Sequence, residues 1–456
     1  MAEDRAERDE DALAMERLEA VLAAVEAGDA GQLDVLLEPL HAADIADILE
    51  QIGSSDRSAL LKLWHGGIDG EVLSEIDESI REEVIAALPE SVVADAVREL
   101  ETDDVVDILE DLEAPAQGRI LDALESADRV AVQQAMAYPE YSAGRLMQRE
   151  VVATPEHWTV GEAIDYLRSA DELPDQFYHV ILIDPRMKPT GYVTLGRVLS
   201  SARTARLRDI AEDSFRIIKA TSPEADVAYI FNQYHLISSP VVDESGRLVG
   251  AITIDDAMAV LDDEHEEDML RMAGVGDESS ISDRVLETTR QRLPWLFVNL
   301  LTAILASTVI AQFENAIAKL VALAVLMPIV TSMGGNAATQ SLTVAVRALA
   351  TRDITGANVA RVIRRETTVG LLNGVFFAIL VGLVSWFWFG DSRLGLVIAA
   401  AMVINLVVAG MAGILVPLMM ERAGVDPALA SGTFVTTVTD VVGFSVFLGL
   451  AGAVML

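Results

Sequence analysis

The chain contains no cysteine, which excludes disulfides and thiolate metal sites. Histidine is almost as scarce: His65, His157, His179, His235 and the others are scattered, so no His-rich metal cluster is formed in sequence. A nucleotide P-loop and a nucleophile–base pair are also lacking, which argues against an enzyme. The first twenty residues, MAEDRAERDEDALAMERLEA, have no apolar core. That excludes a signal peptide and predicts a cytoplasmic N-terminus. Basic charge is in short supply, with 33 Lys and Arg against 71 Asp and Glu. The deficit is local. From Gln291 onward there are 9 basic and 7 acidic residues, whereas the preceding part has 24 and 64, a net of −40. Such a surface repels nucleic acid and anionic lipid and attracts cations. Adaptation to high salt or simple solubility would give the same composition.

Within the acidic part, residues 15 to 140 show helical periodicity and almost no strand signal. Val21, Val25, Leu33, Leu36 and Leu37 fit one apolar face, and Val105, Ile108, Leu109 and Leu112 another. The run starting Asp44-Ile-Ala-Asp resembles the run starting Asp104-Val-Val-Asp sixty residues on, a weak repeat consistent with a superhelix of short helices. Beyond Ala143 short β-rich runs (Val151-Val152, His179–Ile183, Tyr192–Thr194) alternate with helical stretches such as Val160–Leu167. The order recurs at Ile217-Ile218, Val227–Phe231, Pro240–Val242 and Ala251–Thr253. Asp184, Gly191, Val193 and Thr194 reappear as Asp243, Gly250, Ile252 and Thr253 at a constant offset of 59, which predicts a tandem α/β repeat. A charged, helix-prone connector follows from Asp262 to Arg292.

Five apolar stretches then run over Trp295–Phe313, Ala316–Met333, Thr368–Gly390, Leu394–Met420 and Ala428–Leu456. Each reaches the ~20 residues needed to cross a ~30 Å hydrocarbon core. Arg284, Arg290 and Arg292 precede the first span, and Arg347, Arg352, Arg361, Arg364 and Arg365 lie between the second and third. The alternate loops carry only Glu314 and Lys319, or Asp391 and Arg393. Basic loops stay inside, so the acidic half is predicted to be cytoplasmic and the C-terminus extracytoplasmic.

Two features of these spans carry chemistry. Asp440 is the one acidic residue deep within a span. Inserting a carboxylate there costs about 2.5–3.5 kcal/mol and is tolerated where it faces protein, water or a cation. A bland reading keeps it at the boundary, or protonated and bonded to a threonine. The second feature is Pro328 followed by Gly334, Gly335, Asn336 and Gln340, a combination expected to unwind the second span and expose carbonyls. Packing by the glycines is the alternative. Carbonyls, an Asn and an Asp form a hard-oxygen environment for Mg²⁺ or Ca²⁺. Mg²⁺, which dehydrates reluctantly, suits so few charges best.

These residues resemble the MgtE family of magnesium channels and transporters along nearly the whole chain. The most specific marks are Pro328 with Gly335-Asn336 and Gln340, the run Val346–Asp353, and Gly424–Leu429 leading to Thr439-Asp440. The resemblance implies a multidomain protein: a polytopic α-helical membrane bundle of five spans, with a cytoplasmic all-α superhelical N-domain and an α/β tandem CBS domain. Its parts are placed at 1–140 (N-domain), 141–261 (CBS pair), 262–293 (connecting "plug" helix) and 294–456 (membrane domain). It further implies a homodimer in the lipid bilayer of the cell (inner) membrane, with Asp440 of both subunits holding a hydrated Mg²⁺ beside Asn336 and the carbonyls around Gly335. Ala338 stands where the family often has Gly, and Thr433 where it often has Pro; neither change removes a charged ligand.

The same resemblance assigns regulatory Mg²⁺ to Glu71, Asp103 and Asp104 of the N-domain and to Asp256, Glu264, Glu267 and Asp268 of the second repeat and plug. Opposed carboxylate faces repel, and divalent cations between them would favour the compact state, giving closure at high internal Mg²⁺. Asn232 and His235 stand where acids would strengthen the cluster. CBS modules in several families bind ATP or another adenine nucleotide through residues at the Thr253 and Asp256 positions; the first repeat has Arg197 instead of that Asp. The leading expectation is a Mg²⁺-gated Mg²⁺ importer that binds no nucleic acid. Its rivals are a broader importer of Co²⁺ or Mn²⁺ and a non-transporting CBS sensor, the latter disfavoured because an anchor needs no Asp440.

Overall fold

Short amphipathic helices dominate the first part of the computed structural model, which describes residues 3–110, 112–170, 173–174, 177–212, 215–275, 285–430 and 432–455. The helices from Ala30–Leu37 to Ser126–Ala135 are six to ten residues long, and each buries one apolar stripe. Ala42–Gln51 packs on Gly70–Glu75, that helix on Glu90–Glu99, and that one on Ala114–Ala123, so the chain coils into a superhelix. Side chains of Asp29, Asp69 and Asp77 cap helix N-termini. Two buried arginines serve the other ends. Arg57 donates to the carbonyls of Leu49 and Ile52 at 2.8 and 3.0 Å and pairs with Glu83 at 2.9 Å. Arg81 donates to Ile76 O at 3.1 Å and pairs with Asp107 at 2.9 Å. Both place a cation at a helix C-terminus, where the backbone dipole favours it.

The tandem repeat folds as two three-stranded sheets. β1 (Ala153–Pro155) runs parallel to β2 (His179–Ile183), which is antiparallel to β3 (Pro189–Thr194); β4 (Ile218–Lys219), β5 (Ser238–Val242) and β6 (Leu248–Thr253) repeat the arrangement. The bulge recurs too, at Leu182/Ile183 and Val241/Val242. Asp184 and Asp243, the repeated acids, are turn formers: Oδ1 of each accepts backbone N–H from four residues on, Lys188 and Arg247, at 2.8 Å. Two expectations shift. β1 starts after Val151-Val152, because Val152 contributes only its carbonyl to Ile181 N, at 2.8 Å. Ile217 lies outside β4, with its side chain exposed.

Five helices are long and apolar enough to cross a membrane: Thr288–Ala311, Ala322–Ala350, Val359–Phe389, Ser392–Arg422 and Gly432–Met455. The fourth is central and packs on the second, third and fifth. Without a hydrophobic drive between helices in lipid, close backbone approach through small residues must hold such a bundle. Gly370 of the third span shows this. A Cβ there would come within 2.5 Å of Leu406 O on the fourth. Gly370→Ala should therefore force the helices apart and cost about 1–3 kcal/mol, read as a lower thermal midpoint in detergent.

The second span departs from expectation. It is an unbroken helix through Pro328, Gly334 and Gly335, beginning at Ala322 and continuing well past Met333 to Ala350; a separate short helix, Glu314–Lys319, precedes it. A backbone deprived of water keeps its internal hydrogen bonds, so glycine there does not unwind the helix. Of the connecting segment, Ile254–Ala273 and the start of Val285–Ala311 are helical. Residues 276–284, including Arg284, lie outside the described residues. Two compact units result, Met1–Asp263 and Glu264–Leu456.

Candidate ion path and acidic sensor sites

Asp440 is the ninth residue of the fifth span, about 12 Å along its axis at 1.5 Å per residue. It is half-buried, and among the described residues its carboxylate has no hydrogen bond or ion pair. The surrounding threonines are spent elsewhere. Thr436 and Thr439 donate to helix carbonyls of Thr433 and Thr436 at 3.1 and 2.9 Å. One turn before Asp440, Thr436 lies against Gly335 of the second span, where an added Cβ would meet its Cγ2 at 3.3 Å. Asn336 follows on the same helix and is exposed, as are Ser332 and Gln340 at helical spacing on either side of it. A polar stripe on a membrane helix cannot face hydrocarbon without cost, so it faces protein or water.

A residue that the sequence reading passed over sits at this junction. Asn405 of the fourth span is fully buried and donates through Nδ2 to Val330 O of the second span at 2.9 Å. Its side chain is wedged between Gly334 and Gly443: an added Cβ would approach Nδ2 to 2.2 Å from the first and 3.0 Å from the second. Its Oδ1 is buried without a hydrogen-bond partner among the described residues. The glycines of the second span thus admit a polar wedge and close packing. The signal was available, since Asn405 interrupts an apolar run as Asp440 does.

The predicted regulatory acids fall into two groups. In the first unit the helix Thr102–Glu110 is pinned to the segment before the first repeat. Thr102 Oγ1 donates to Glu150 at 2.7 Å, Gln148 Nε2 to Glu101 at 2.7 Å, and Arg145 pairs with Glu110 at 2.5 Å. The backbone of Gln148 in turn pairs with that of Ala251 in β6. This brings Asp103 and Asp104 into the field of Asp255 and Asp256, at the start of Ile254–Ala273. Burial and then repulsion by Asp256 hold Asp103 well above the usual carboxylate range. Burial, with Asp107 and Asp255, pushes Asp104 up to about 6. Burial, with Asp255 and Asp104, pushes Asp256 up to about 7, despite the hydrogen bond it accepts from Thr253 Oγ1 at 2.6 Å. Glu71 is exposed; the acid of its helix that acts on Asp104 is Glu75, one turn on.

In the second unit Glu264, Glu267 and Asp268 meet Asp426, in the loop before the fifth span. Arg271 pairs with both Glu267 and Asp426. Burial, then Asp426 and Glu264, push Asp268 up to about 6. Burial also raises Glu264. Among the described residues no group of three or more His, Asp or Glu is arranged to hold a metal ion by itself. Such sites suit an ion that keeps most of its water and takes one or two carboxylates, as Mg²⁺ does. His235 has a structural duty, closing a helix in the left-handed conformation at φ 53°. Arg197 donates to Ile210 O within its own repeat at 3.1 Å.

The raised carboxylates of the first unit give a pH prediction. Free Asp titrates near 3.9, so the stability of this seam is whole below about pH 4 and is lost as pH rises through about 6 for Asp104 and about 7 for Asp256. At about 1.4 kcal/mol per unit the loss amounts to a few kcal/mol at most. Without divalent cations, protease resistance of the soluble half should fall between about pH 4 and about pH 7, and Mg²⁺ should restore it at pH 8.

Comparison with known proteins gives a consistent family. Residues 327–450 match a family described as a divalent cation transporter, MgtE; residues 40–141 match the MgtE intracellular N domain; residues 143–203 and 207–263 match CBS domains. The magnesium transporter MgtE of Bacillus subtilis is 31% identical over 329 residues, covering 72% of this chain and 73% of that one. That of Thermus thermophilus is 32% identical over 326 residues, covering 71% and 72%. A crystal structure of the cytosolic domain of the Mg²⁺ channel MgtE in complex with ATP aligns with 53% of this chain and 99% of that one, at 28% identity and a TM-score of 0.49. The chain belongs to the MgtE family.

Proposed function

We propose that the protein is a multi-pass transporter of the cell membrane that imports Mg²⁺ through a path lined by Asp440, and that internal Mg²⁺ shuts it. It is not an enzyme. The observation that carries the reading is Asp440 itself: a half-buried carboxylate without a partner among the described residues, on a helix whose preceding turn packs on Gly335. A carboxylate left free at membrane depth serves a passing cation. Asn336 adds an amide oxygen to the lining, while the carbonyls near Gly335 stay within the helix, that of Gly335 accepting from Thr339 Oγ1 at 3.0 Å. The exposed stripe of Ser332, Asn336 and Gln340 supports a second copy of the chain across the path, as a homodimer.

Gating follows from the charge of the soluble half. Asp103, Asp104, Asp255 and Asp256 oppose one another at low Mg²⁺; hydrated Mg²⁺ between them relieves the repulsion and favours the closed form. Glu264, Glu267 and Asp268 on the plug helix act likewise with Asp426, and Glu71 contributes at the exposed edge. The N-terminus and both soluble domains are cytoplasmic and the C-terminus extracytoplasmic, as the basic loops require. ATP or another adenine nucleotide at the CBS pair would compete with the Thr253–Asp256 hydrogen bond.

Proteoliposomes loaded with a Mg²⁺-sensitive dye test the reading. Entry should exceed that of protein-free vesicles and should survive a modest excess of Co²⁺ or Mn²⁺. Equal entry with and without protein would leave the sensor reading. Strong block together with passage of Co²⁺ and Mn²⁺ would favour the broader importer.

A further inference from the structure

The third span offers a surface that neither the ion path nor the sensor uses. Its inward face is committed: Gly370, Gly374, Ala378 and Ser385 are buried, and Glu366 accepts from Ser341 of the second span at 3.1 Å. The outward face reads differently along its length. Leu372, Phe376, Ile379, Leu383 and Phe387, at spacings of four, three, four and four, are all more than half exposed. At one end of this stripe Arg361, Arg364, Arg365 and Thr368 continue the same face and, with Val369, line a shallow cavity of about 410 Å³. At the other end Trp386, Phe387 and Trp388 line a second hollow of about 680 Å³. From Arg365 to Trp386 the helix rises about 32 Å at 1.5 Å per residue, which matches a ~30 Å hydrocarbon core. Guanidinium groups at one interface and indoles at the other are the arrangement of a helix face bathed in lipid.

Among the described residues none of the three guanidiniums has an ion pair with a carboxylate. Fixing topology requires basic residues in the loop but does not require them to share one face with the lipid stripe. Three arginines without an ion pair among the described residues, at headgroup level, form a phosphate cradle, because the guanidinium fork matches phosphate oxygens two at a time; the Thr368 hydroxyl beside them donates to Arg364 O at 2.8 Å. The geometry points to a binding site for one anionic glycerophospholipid at Arg361, Arg364 and Arg365, with its acyl chains lying along Val369, Leu372 and Phe376. A zwitterionic lipid brings a cation to the same cradle and is disfavoured there. The site gives the membrane half an attraction for anionic lipid that the acidic half lacks.

Native mass spectrometry of the full-length protein, titrated with phosphatidylglycerol or phosphatidylcholine of identical chains, tests this. The wild type should retain phosphatidylglycerol with a preference on the order of tenfold. R361Q/R364Q/R365Q should bind the two lipids alike, and R361K/R364K/R365K should keep part of the preference. An unchanged thermal midpoint of the Gln variant in phosphatidylcholine nanodiscs would establish that it folds. Absence of a preference in the wild type, or its persistence in the Gln variant, would overturn the site. Disulfide cross-linking of two copies through L372C, in a chain otherwise free of cysteine, would also overturn it, since the face would then belong to a protein interface.

Discussion

Asp440→Ala should reduce Mg²⁺ entry into proteoliposomes by about two to four orders of magnitude. Removing one member of a desolvated charge pair costs about 3–5 kcal/mol, and each 1.36 kcal/mol added to a barrier is tenfold in rate. The partner in question is the cation in transit. The bundle should survive the change, because the carboxylate has no hydrogen bond or ion pair among the described residues and its removal orphans no donor. Asp440→Glu keeps the charge and should retain part of the flux. Dye-reported initial rates at matched protein density give the comparison, and undiminished flux in the Ala variant would remove this carboxylate from the path.

The second large effect concerns the acidic seam. In D103N/D256N the repulsion that opens the seam at low Mg²⁺ is gone, as is the carboxylate pair that would attract the ion. Asn is close in shape, and Asp256 loses only part of its bond with Thr253 Oγ1. The variant should therefore resist protease without Mg²⁺ as well as the wild type does in millimolar Mg²⁺, and its resistance should change little on titration. Transport should be low at all internal Mg²⁺ concentrations. A variant that still needs Mg²⁺ to become resistant would place the sensing charges elsewhere, Glu264 and Asp268 being the next candidates.

Much of this was legible because charge and hydropathy are local properties of a sequence. Five apolar runs, the tandem repeat marked by Asp184 and Asp243, and the lone deep acid Asp440 needed no partner to be recognised. Features that depend on what packs against them were harder to read. Pro328 and the Gly334-Gly335 pair read as helix breakers, yet the helix persists and the glycines make room for Asn405 and Thr436. Asn405 acquires meaning only when Val330 O, Gly334 and Gly443 surround it. Similarly, Glu71 and Glu75 are equivalent as letters. Only the turn of their helix puts Glu75 in the field of Asp104. Arg271 and Asp426 are 155 residues apart in sequence, so no spacing rule could pair them.

A gate that reads internal Mg²⁺ through opposed carboxylates is tested most directly by Mg²⁺ flux through the full-length protein, oriented in a planar bilayer, as Mg²⁺ on the side of the soluble half is raised from micromolar to several millimolar. Open probability should fall steeply over that range, and the fall should be abolished in D103N/D256N. An open probability that stays flat in the wild type would contradict such a gate.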